Sequence, residues 1–202
     1  MQIGSGDHPR LILASASPRR LELLRQIGVT PDQVQEAGID ESHHPAELPR
    51  LLAARLAAAK AEAVASTIPP RDPPTLILAA DTVVGVGRRI LPKAESPEQI
   101  AACLKLLSGR RHRVYTGVTV IHLPSLRQHH RLVETAVVFK PLSTAEIDAY
   151  ITSGEGLGKA GGYAIQGRAA MLVRQIIGSY SNIVGLPLYE TAGLLKNYGL
   201  LS

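Results

Sequence analysis

Segment 11–24 constrains the fold of this chain most strongly, because it joins a strand directly to a helix. Its first four residues, 11–14, are apolar and have the length of a buried strand. Apolar side chains then recur with helical spacing after Ser17 and Pro18. We predict that Ser17 caps this helix and that Pro18 occupies its first position, where the missing N–H costs nothing. A strand that leads at once into a helix indicates an α/β fold.

The same junction carries the groups of an anion-binding site. Free N–H groups at a helix N-terminus attract phosphate, and Ser15 and Ser17 add two hydroxyls. Arg19 and Arg20 follow in the first helical turn, where a positive charge opposes the helix dipole. Guanidinium groups pair well with phosphate oxygens. The junction therefore predicts a phosphate-binding site.

Length and composition indicate one globular α/β domain. The chain has 202 residues, of which 45% are hydrophobic, and we assign 1–10 to an N-terminal extension and 11–202 to a single domain. The single cysteine, Cys103, lies in an apolar helical pattern and is predicted to be a core residue; it excludes an internal disulfide framework. We find neither a signal-peptide core nor an apolar run of membrane length, so we expect a cytoplasmic protein without a membrane partner.

The basic charge balance raises the question of nucleic-acid binding. The formal net charge is +5, but the longest basic clusters are short, at 88–89 and 110–113. Aromatic residues, which stack on bases, make up only 3% of the chain. Because net charge bears on association rather than on chemistry, we expect a small phosphate ligand and consider nucleic acid an unlikely partner.

Hydrophobic periodicity and turn residues predict the remaining elements of the α/β fold. Strands are predicted at 34–39, 76–80, 114–123, 132–140 and 171–177, and helices at 47–66, 96–107, 143–150 and 187–198. A hairpin is predicted around 87–89, a connection at 123–131 and a glycine-rich loop at 154–167.

An acidic residue after the most apolar strand is the leading catalytic candidate. Asp81 follows 76–80, and the carboxyl ends of strands line the ligand crevice in open α/β sheets. Such an acid can hold a divalent cation or take a proton from water, or it can simply cap a turn. Asp40 and Glu41 follow another predicted strand, and they either complete an oxygen ligand set for Mg²⁺ or form a solvated turn.

Three lysines and one glutamine are the remaining candidates. Lys93 follows the predicted hairpin, and Lys159 lies in the glycine-rich loop; each is either a charge for phosphate or a surface residue. Lys60 lies in an alanine-rich helix, from which a long side chain can reach over an apolar face toward a pocket. Gln166 offers a donor and an acceptor to a base edge. The P-loop, dinucleotide-binding and nucleophile-elbow patterns are absent from the sequence, so these residues alone leave substrate and reaction open.

Several ordered motifs between residues 11 and 195 resemble the Maf family of nucleoside triphosphate pyrophosphatases. They are LASASPRRLELLRQIGV, LAAAKAEAV, LAADTVV, LSGRRHRVYTGVTV and KAGGYAIQGRAAMLVRQIIGSYSNIVGLPLYET. The resemblance implies a mixed twisted sheet with flanking helices, of the inosine triphosphate pyrophosphatase type, with two lobes around a cleft. It also implies hydrolysis between the α- and β-phosphates, which gives a monophosphate and pyrophosphate, with Mg²⁺ or Mn²⁺.

The resemblance also implies roles for individual residues. Asp81 matches the catalytic acid, usually described as a proton acceptor, and we expect it to share the metal with Glu41. The phosphate- and metal-handling positions are matched by Ser15, Arg19, Glu41, Lys60 and Lys93. One departure is Lys93–Ala94, where the family commonly has Lys-Pro; the change loosens the turn but keeps the charge.

Three further positions separate the subgroups of the family. Arg20, Thr82 and Gln166 are similar to the branch that acts on dTTP and UTP, and modified pyrimidine triphosphates are further expected substrates. The branch that prefers 7-methyl-GTP typically has Trp, Gln and Glu at these positions, and it is the alternative enzyme. A nucleic-acid-binding or division-regulating protein that retains the fold is the alternative outside enzymology. The expected partner is a nucleoside triphosphate, and a homodimer stays open.

Overall fold

The structure is a computed structural model of the chain and describes residues 9–69 and 73–201. Most of the predicted N-terminal extension therefore lies outside the described residues. The elements in chain order are β1 (Arg10–Leu13), α1 (Pro18–Gln26), β2 (Gln33–Val34), α2 (Pro49–Ala65), β3 (Thr75–Val86), β4 (Arg89–Leu91), α3 (Pro97–Leu107), β5 (Arg111–Leu123), β6 (Arg127–Phe139), α4 (Thr144–Thr152), a 3-10 helix (Arg168–Leu172), β7 (Val173–Ile177), α5 (Tyr180–Val184) and α6 (Leu188–Lys196). None of these helices has the length and apolar character needed to span a bilayer.

The strands form one mixed, seven-stranded sheet. Its order is β2-β1-β3-β5-β6-β7, and β4 also pairs with β3. β1 runs parallel to β2 and β3, whereas the other pairs are antiparallel. Helices pack against both faces, which confirms the predicted mixed α/β class with flanking helices.

A gap along one edge of β3 determines where a ligand can enter. β5 pairs with β3 from Thr75 to Gly85 and so occupies its far edge over all but the last residue. On the near edge, β1 pairs with β3 only as far as Leu78, and β4 begins to pair at Val84. Among the described residues, segment 79–83 therefore has no strand partner on this edge. A cleft can open there while the sheet remains continuous through β5.

Alternation along β3 divides its side chains between the two faces of the sheet. Ile77 and Ala79 pack with α2 on one face, and Val83 packs with α2 further along the same face. Residues 76, 78, 80 and 84 belong to the larger core on the opposite face. Asp81 therefore points to the side of α2, and Thr82 points to the other side.

Helix α2 lies unusually close to the sheet, and it buries a lysine there. Its buried residues recur with helical spacing, and they are Pro49, Leu52, Ala53, Leu56, Ala57, Lys60, Ala61 and Val64. A Cβ on Gly117 would lie 2.3 Å from the main-chain oxygen of Ala53, so only glycine permits this approach. Since Gly117 pairs with Asp81 across β5 and β3, the helix packs directly over the predicted catalytic acid.

Three local predictions were wrong. The strand predicted at 34–39 is only β2, because β1 ends at Leu13 and offers no further backbone to pair with. Asp81 lies inside β3 rather than after it, because β5 pairs on both sides of this residue. The connection predicted at 123–131 shortens to 124–126, since β6 begins at Arg127 against β5. The predicted start of α1 is confirmed, because Ser17 is its N-cap residue and Pro18 its first residue, although among the described contacts the Ser17 side chain makes no capping hydrogen bond.

Two short elements were missed, namely α5 and the 3-10 helix, each of five residues. Such lengths are too short for a periodic pattern to emerge. The other predicted helices are confirmed within a few residues, and α4 begins with a capping box formed by Ser143 and Glu146. Cys103 is buried, as predicted.

The glycine-rich segment 154–167 is fixed to the core by aromatic residues. The imidazole Nε2 of His112 lies 2.8 Å from the Tyr163 hydroxyl, and the Ala164 amide donates to the Tyr150 hydroxyl at 3.0 Å. The rings of His112 and Tyr163 also meet Phe139 edge to face. The segment is therefore irregular in backbone but anchored in position.

We expect Gly117→Ala to lower the free energy of unfolding by about 1–3 kcal/mol, because the added methyl overpacks the contact with α2. Urea denaturation measures the effect. Gly193→Ala in α6 is the matched control: its Cβ would meet nothing within 4 Å, so alanine should stabilise by about 0.5–1 kcal/mol. Equal effects of the two substitutions would contradict the close approach of α2.

The buried His112 predicts a pH dependence of stability. Burial lowers the pKa of His112 from 6.5 to about 4. The unfolded chain therefore takes up this proton below pH 6.5 whereas the folded chain does not until about pH 4, so stability falls as the pH drops through this window. Relative to His112→Gln, the wild type should lose about 1.4 kcal/mol per pH unit between these limits. Urea denaturation of both proteins at several pH values tests this, and parallel curves would contradict it.

Candidate active site

A cleft of about 440 Å³ opens at the gap along β3. It is lined by eight of the predicted site residues, namely Arg19, Arg20, Lys60, Asp81, Thr82, Lys93, Lys159 and Gln166. A smaller cavity of about 160 Å³ shares part of this lining and adds Ser15 and Glu41. The structure thus brings all ten predicted site residues into two adjoining cavities.

A chain of alternating charges crosses the site. Lys60 Nζ lies 2.6 Å from Asp81 Oδ1 and 2.6 Å from Glu41 Oε1, and Lys93 contacts the other Glu41 oxygen. Lys60 and Asp81 are buried, whereas the Lys93 side chain is 54% exposed. The phosphate role predicted for Lys60 therefore competes with two carboxylates that already hold its ammonium group.

The ionisation of Glu41 follows from its two lysines. Partial burial opposes the charged form, but hydrogen bonds and charge from Lys60 and Lys93 outweigh it and lower the pKa of Glu41 to about 2. Glu41 is therefore a carboxylate at neutral pH. It differs from its neighbour Asp40, which is exposed and accepts hydrogen bonds from the amide and hydroxyl of Ser42. Asp40 forms a local turn, which is the second of the two interpretations left open for it.

Ser15 is arranged as a hydrogen-bond donor toward the cleft. Its Oγ accepts from Arg20 Nη1 at 2.8 Å and from the Ser17 amide at 3.2 Å. A hydroxyl oxygen has two acceptor positions, so both are in use and the proton remains for another acceptor. A phosphate oxygen is such an acceptor, and the structure is consistent with the anion site predicted at this junction.

Arg20 is held at three points. Besides Ser15, its Nε donates to the Gly185 carbonyl at 2.9 Å and its Nη2 to Thr82 Oγ1 at 3.4 Å. Gly185 was not predicted as a site residue, because Arg20 lies 165 positions away and the contact leaves no local sequence signal. Burial lowers the pKa of both Arg19 and Arg20, but arginine begins so high that both stay charged.

Lys93 and Lys159 reach the cleft on two segments that pair with each other. The Ala94 amide donates to the Lys159 carbonyl at 3.1 Å, and the Gly158 amide donates to the Ala94 carbonyl at 2.7 Å. A proline at 94 could not donate the first of these bonds, so the loosening expected from Ala94 is offset by a hydrogen bond. Burial and the charge of Arg19 lower the pKa of Lys159.

The donor set is suited to a cation that arrives with a phosphate ligand. Among residues 9–69 and 73–201, no group of three or more histidine, cysteine, aspartate and glutamate side chains could hold a metal by itself. Asp81 and Glu41 do converge on one cation, the Lys60 ammonium. Mg²⁺ is commonly bound by one or two carboxylates together with substrate phosphates, so these two residues fit such a metal.

The arrangement places several cations and the Asp81 carboxylate in the lining of one cleft. Because Asp81 Oδ1 accepts from Lys60, its Oδ2 is left for a water molecule in the cleft. Cations at Arg19, Lys93 and Lys159 can neutralise a polyphosphate beside it. The site can therefore bind a phosphate chain and activate water next to it.

The chain is similar to several known proteins. The dTTP/UTP pyrophosphatase of Gluconobacter oxydans is 59% identical over 196 residues, which are 96% of this chain and 88% of that protein. The dTTP/UTP pyrophosphatase of Caulobacter vibrioides is 57% identical over 191 residues, 95% of this chain and 96% of that protein. Among solved structures, a HAM1 protein from Coxiella burnetii shares 15% identity with a TM-score of 0.46, over 94% of this chain and 99% of that chain. A family model described as Maf-like protein matches residues 10–198, and the chain belongs to this family.

Proposed function

We propose that this protein is a nucleoside triphosphate pyrophosphatase that hydrolyses dTTP and UTP to the monophosphate and pyrophosphate. The proposal rests on one observation: the Asp81 carboxylate pairs with buried Lys60 in a cleft that several arginine and lysine side chains line. The relatives named dTTP/UTP pyrophosphatase support the substrate. Nothing in the cleft favours the 7-methyl-GTP branch or a nucleic-acid-binding protein.

Asp81 is the general base of the proposed reaction. It takes a proton from a water molecule, and the resulting nucleophile attacks the α-phosphorus while pyrophosphate leaves. Lys60 fixes the orientation of the carboxylate through Oδ1, because the ion pair is buried and short. Glu41 holds Lys60 from its other side, so the base is positioned by a second carboxylate that it does not touch.

The cations stabilise the charge that develops on the phosphates. Arg19, Lys93 and Lys159 line the cleft, and the Ser15 hydroxyl adds a neutral donor. Two of these groups are preorganised, since Arg20 holds the Ser15 hydroxyl and Glu41 holds the Lys93 ammonium, and they need little reorganisation during the reaction. A divalent metal held by Asp81 and Glu41, when bound, supplies further neutralisation of the phosphate oxygens.

Base selection falls to Arg20, Thr82 and Gln166. Arg20 and Thr82 contact each other, and Gln166 lines the same cleft from the glycine-rich loop. Arginine only donates hydrogen bonds, whereas glutamine both donates and accepts. Carbonyl-rich bases such as uracil and thymine match this set.

We expect Asp81→Asn to lower kcat for UTP by at least about a hundredfold, because an amide cannot accept the proton from water. The variant should remain folded, since Asn still accepts from Lys60 and Glu41 still balances the buried ammonium charge. Pyrophosphate release from a panel of dTTP, UTP, CTP, GTP and 7-methyl-GTP measures the activity, and thermal denaturation measures folding.

Two outcomes would contradict the proposal. Wild-type protein that releases no pyrophosphate from dTTP or UTP would exclude the function. Full turnover by a folded Asp81→Asn protein would exclude Asp81 as the base. Asp40→Asn is the matched control, because Asp40 is an exposed turn residue and its change should leave the rate unaltered.

Removal of divalent metal should abolish pyrophosphate release, and added Mg²⁺ or Mn²⁺ should restore it. The reason is that a triphosphate carries several negative charges, and two carboxylates face it in the site. Activity in excess EDTA with and without added metal measures the dependence. Undiminished turnover in EDTA would contradict the metal role of Glu41 and Asp81.

A further inference from the structure

We propose that Thr116 is a positioning residue that makes Thr82 a hydrogen-bond acceptor toward the base, and that this proton arrangement excludes cytosine. The inference deepens the proposed function, on which it rests. It concerns Thr116, a buried residue that does not line the cleft.

A line of hydrogen bonds runs from the cleft into the core. Arg20 Nη2 donates to Thr82 Oγ1, and Thr82 Oγ1 lies 3.0 Å from Thr116 Oγ1. Thr116 Oγ1 in turn donates to the Asn182 main-chain carbonyl at 3.0 Å. Thr82 and Thr116 are directly opposite each other on β3 and β5, so their side chains share one face of the sheet.

The direction of this line is fixed by the number of protons. A threonine hydroxyl has one proton, and Thr116 uses its proton on the Asn182 carbonyl. In the pair between the two threonines, Thr82 must therefore donate to Thr116. The Thr82 hydroxyl then has no proton for a ligand, and it faces the cleft only as an acceptor.

The far end of the line is buried and cannot reverse easily. Thr116 and Asn182 are both fully buried. The Asn182 side-chain amide donates to the Val114 carbonyl at 3.1 Å and to Thr135 Oγ1 at 3.0 Å, which fixes α5 against β5 and β6. Since the Asn182 carbonyl can only accept, it holds the proton of Thr116 in one direction.

The cleft therefore presents a hydrogen-bond donor, the Arg20 guanidinium, beside a hydrogen-bond acceptor, the Thr82 hydroxyl oxygen. Arg20 has five N–H donors and spends three on protein partners among the described residues, so the others remain for a ligand. Uracil and thymine offer a carbonyl acceptor at C4 next to an N3–H donor, which complements Arg20 and Thr82. Cytosine has an amino donor at C4 next to an unprotonated N3, so both hydrogen bonds are reversed.

Thr116→Val tests the inference because it removes the hydroxyl and keeps the shape. The proton of Thr82 is then free to turn toward the cleft, where it can donate to N3 of cytosine. We expect the ratio of kcat/KM for UTP over CTP to fall about tenfold, with the change in KM rather than in kcat. Thr116→Ser keeps the hydroxyl and should restore the wild-type ratio.

Thr119→Val is the matched control. Thr119 is also a buried threonine on β5, but its hydroxyl contacts His130, which lies away from the cleft. This variant should keep the wild-type UTP over CTP ratio, whatever its effect on stability. If Thr116→Val does not fold, Thr116→Ala removes the same hydroxyl with less bulk and gives the same test.

The outcomes separate this inference from the proposed function. A wild type without pyrophosphate release from UTP or dTTP overturns the function itself. A wild type that cleaves UTP but does not discriminate against CTP overturns only the inference. The inference is also overturned if Thr116→Val or Thr116→Ala keeps the wild-type UTP over CTP ratio. It is overturned as well if Thr116→Ser lowers this ratio as much as Thr116→Val, or if Thr119→Val lowers it equally.

Discussion

The buried ion pair between Lys60 and Asp81 is the interaction on which the site depends. An unpaired charge at either position would cost several kcal/mol, because neither side chain has much contact with water. The pair is possible only because α2 approaches the sheet over Gly117, where any larger residue would separate helix and strand. Glu41, which lies in an exposed irregular segment, supplies a second negative charge to Lys60. The ion pair thus depends both on the packing of α2 and on the register between β3 and β5.

The gap along β3 explains why a residue inside a strand can reach a ligand. Residues of a central strand normally have strand partners on both edges, whereas Asp81 has β5 on one edge only. Because β1 ends early and β4 begins late, the other edge is open where the two cavities meet. The anchored glycine-rich segment then closes the cleft with Lys159 and Gln166. A short strand and a rigid irregular loop together form the site without any interruption of the main sheet.

The sequence predicted those parts of the site that have local signals. Lys60 belongs to a buried helical stripe that is visible in the spacing of α2, and the strand-to-helix junction marked Ser15 and the two arginines. The choice between Asp40 and Glu41 could not be made from two adjacent acids, since only tertiary contact with Lys60 and Lys93 distinguishes them. Thr116 and Asn182 carry no local signal, because their partners lie 34 and 66 positions away. The end of β3 was misplaced for the same reason: its length is set by β5.

The alternation of side chains along β3 places the proposed hydrolytic residue and a proposed base-selecting residue on opposite faces of the sheet. Asp81 belongs to the face covered by α2, and its neighbour Thr82 belongs to the face covered by α5. Under the proposed roles of these residues, a substitution near Thr82 that alters base preference can therefore be repacked on one side of the sheet without disturbing Asp81 on the other. An insertion or deletion within the strand has the opposite effect, because it exchanges the two faces and removes both properties together. With these proposed roles, proteins that share this strand can change their substrates by point mutation while their hydrolytic chemistry stays the same.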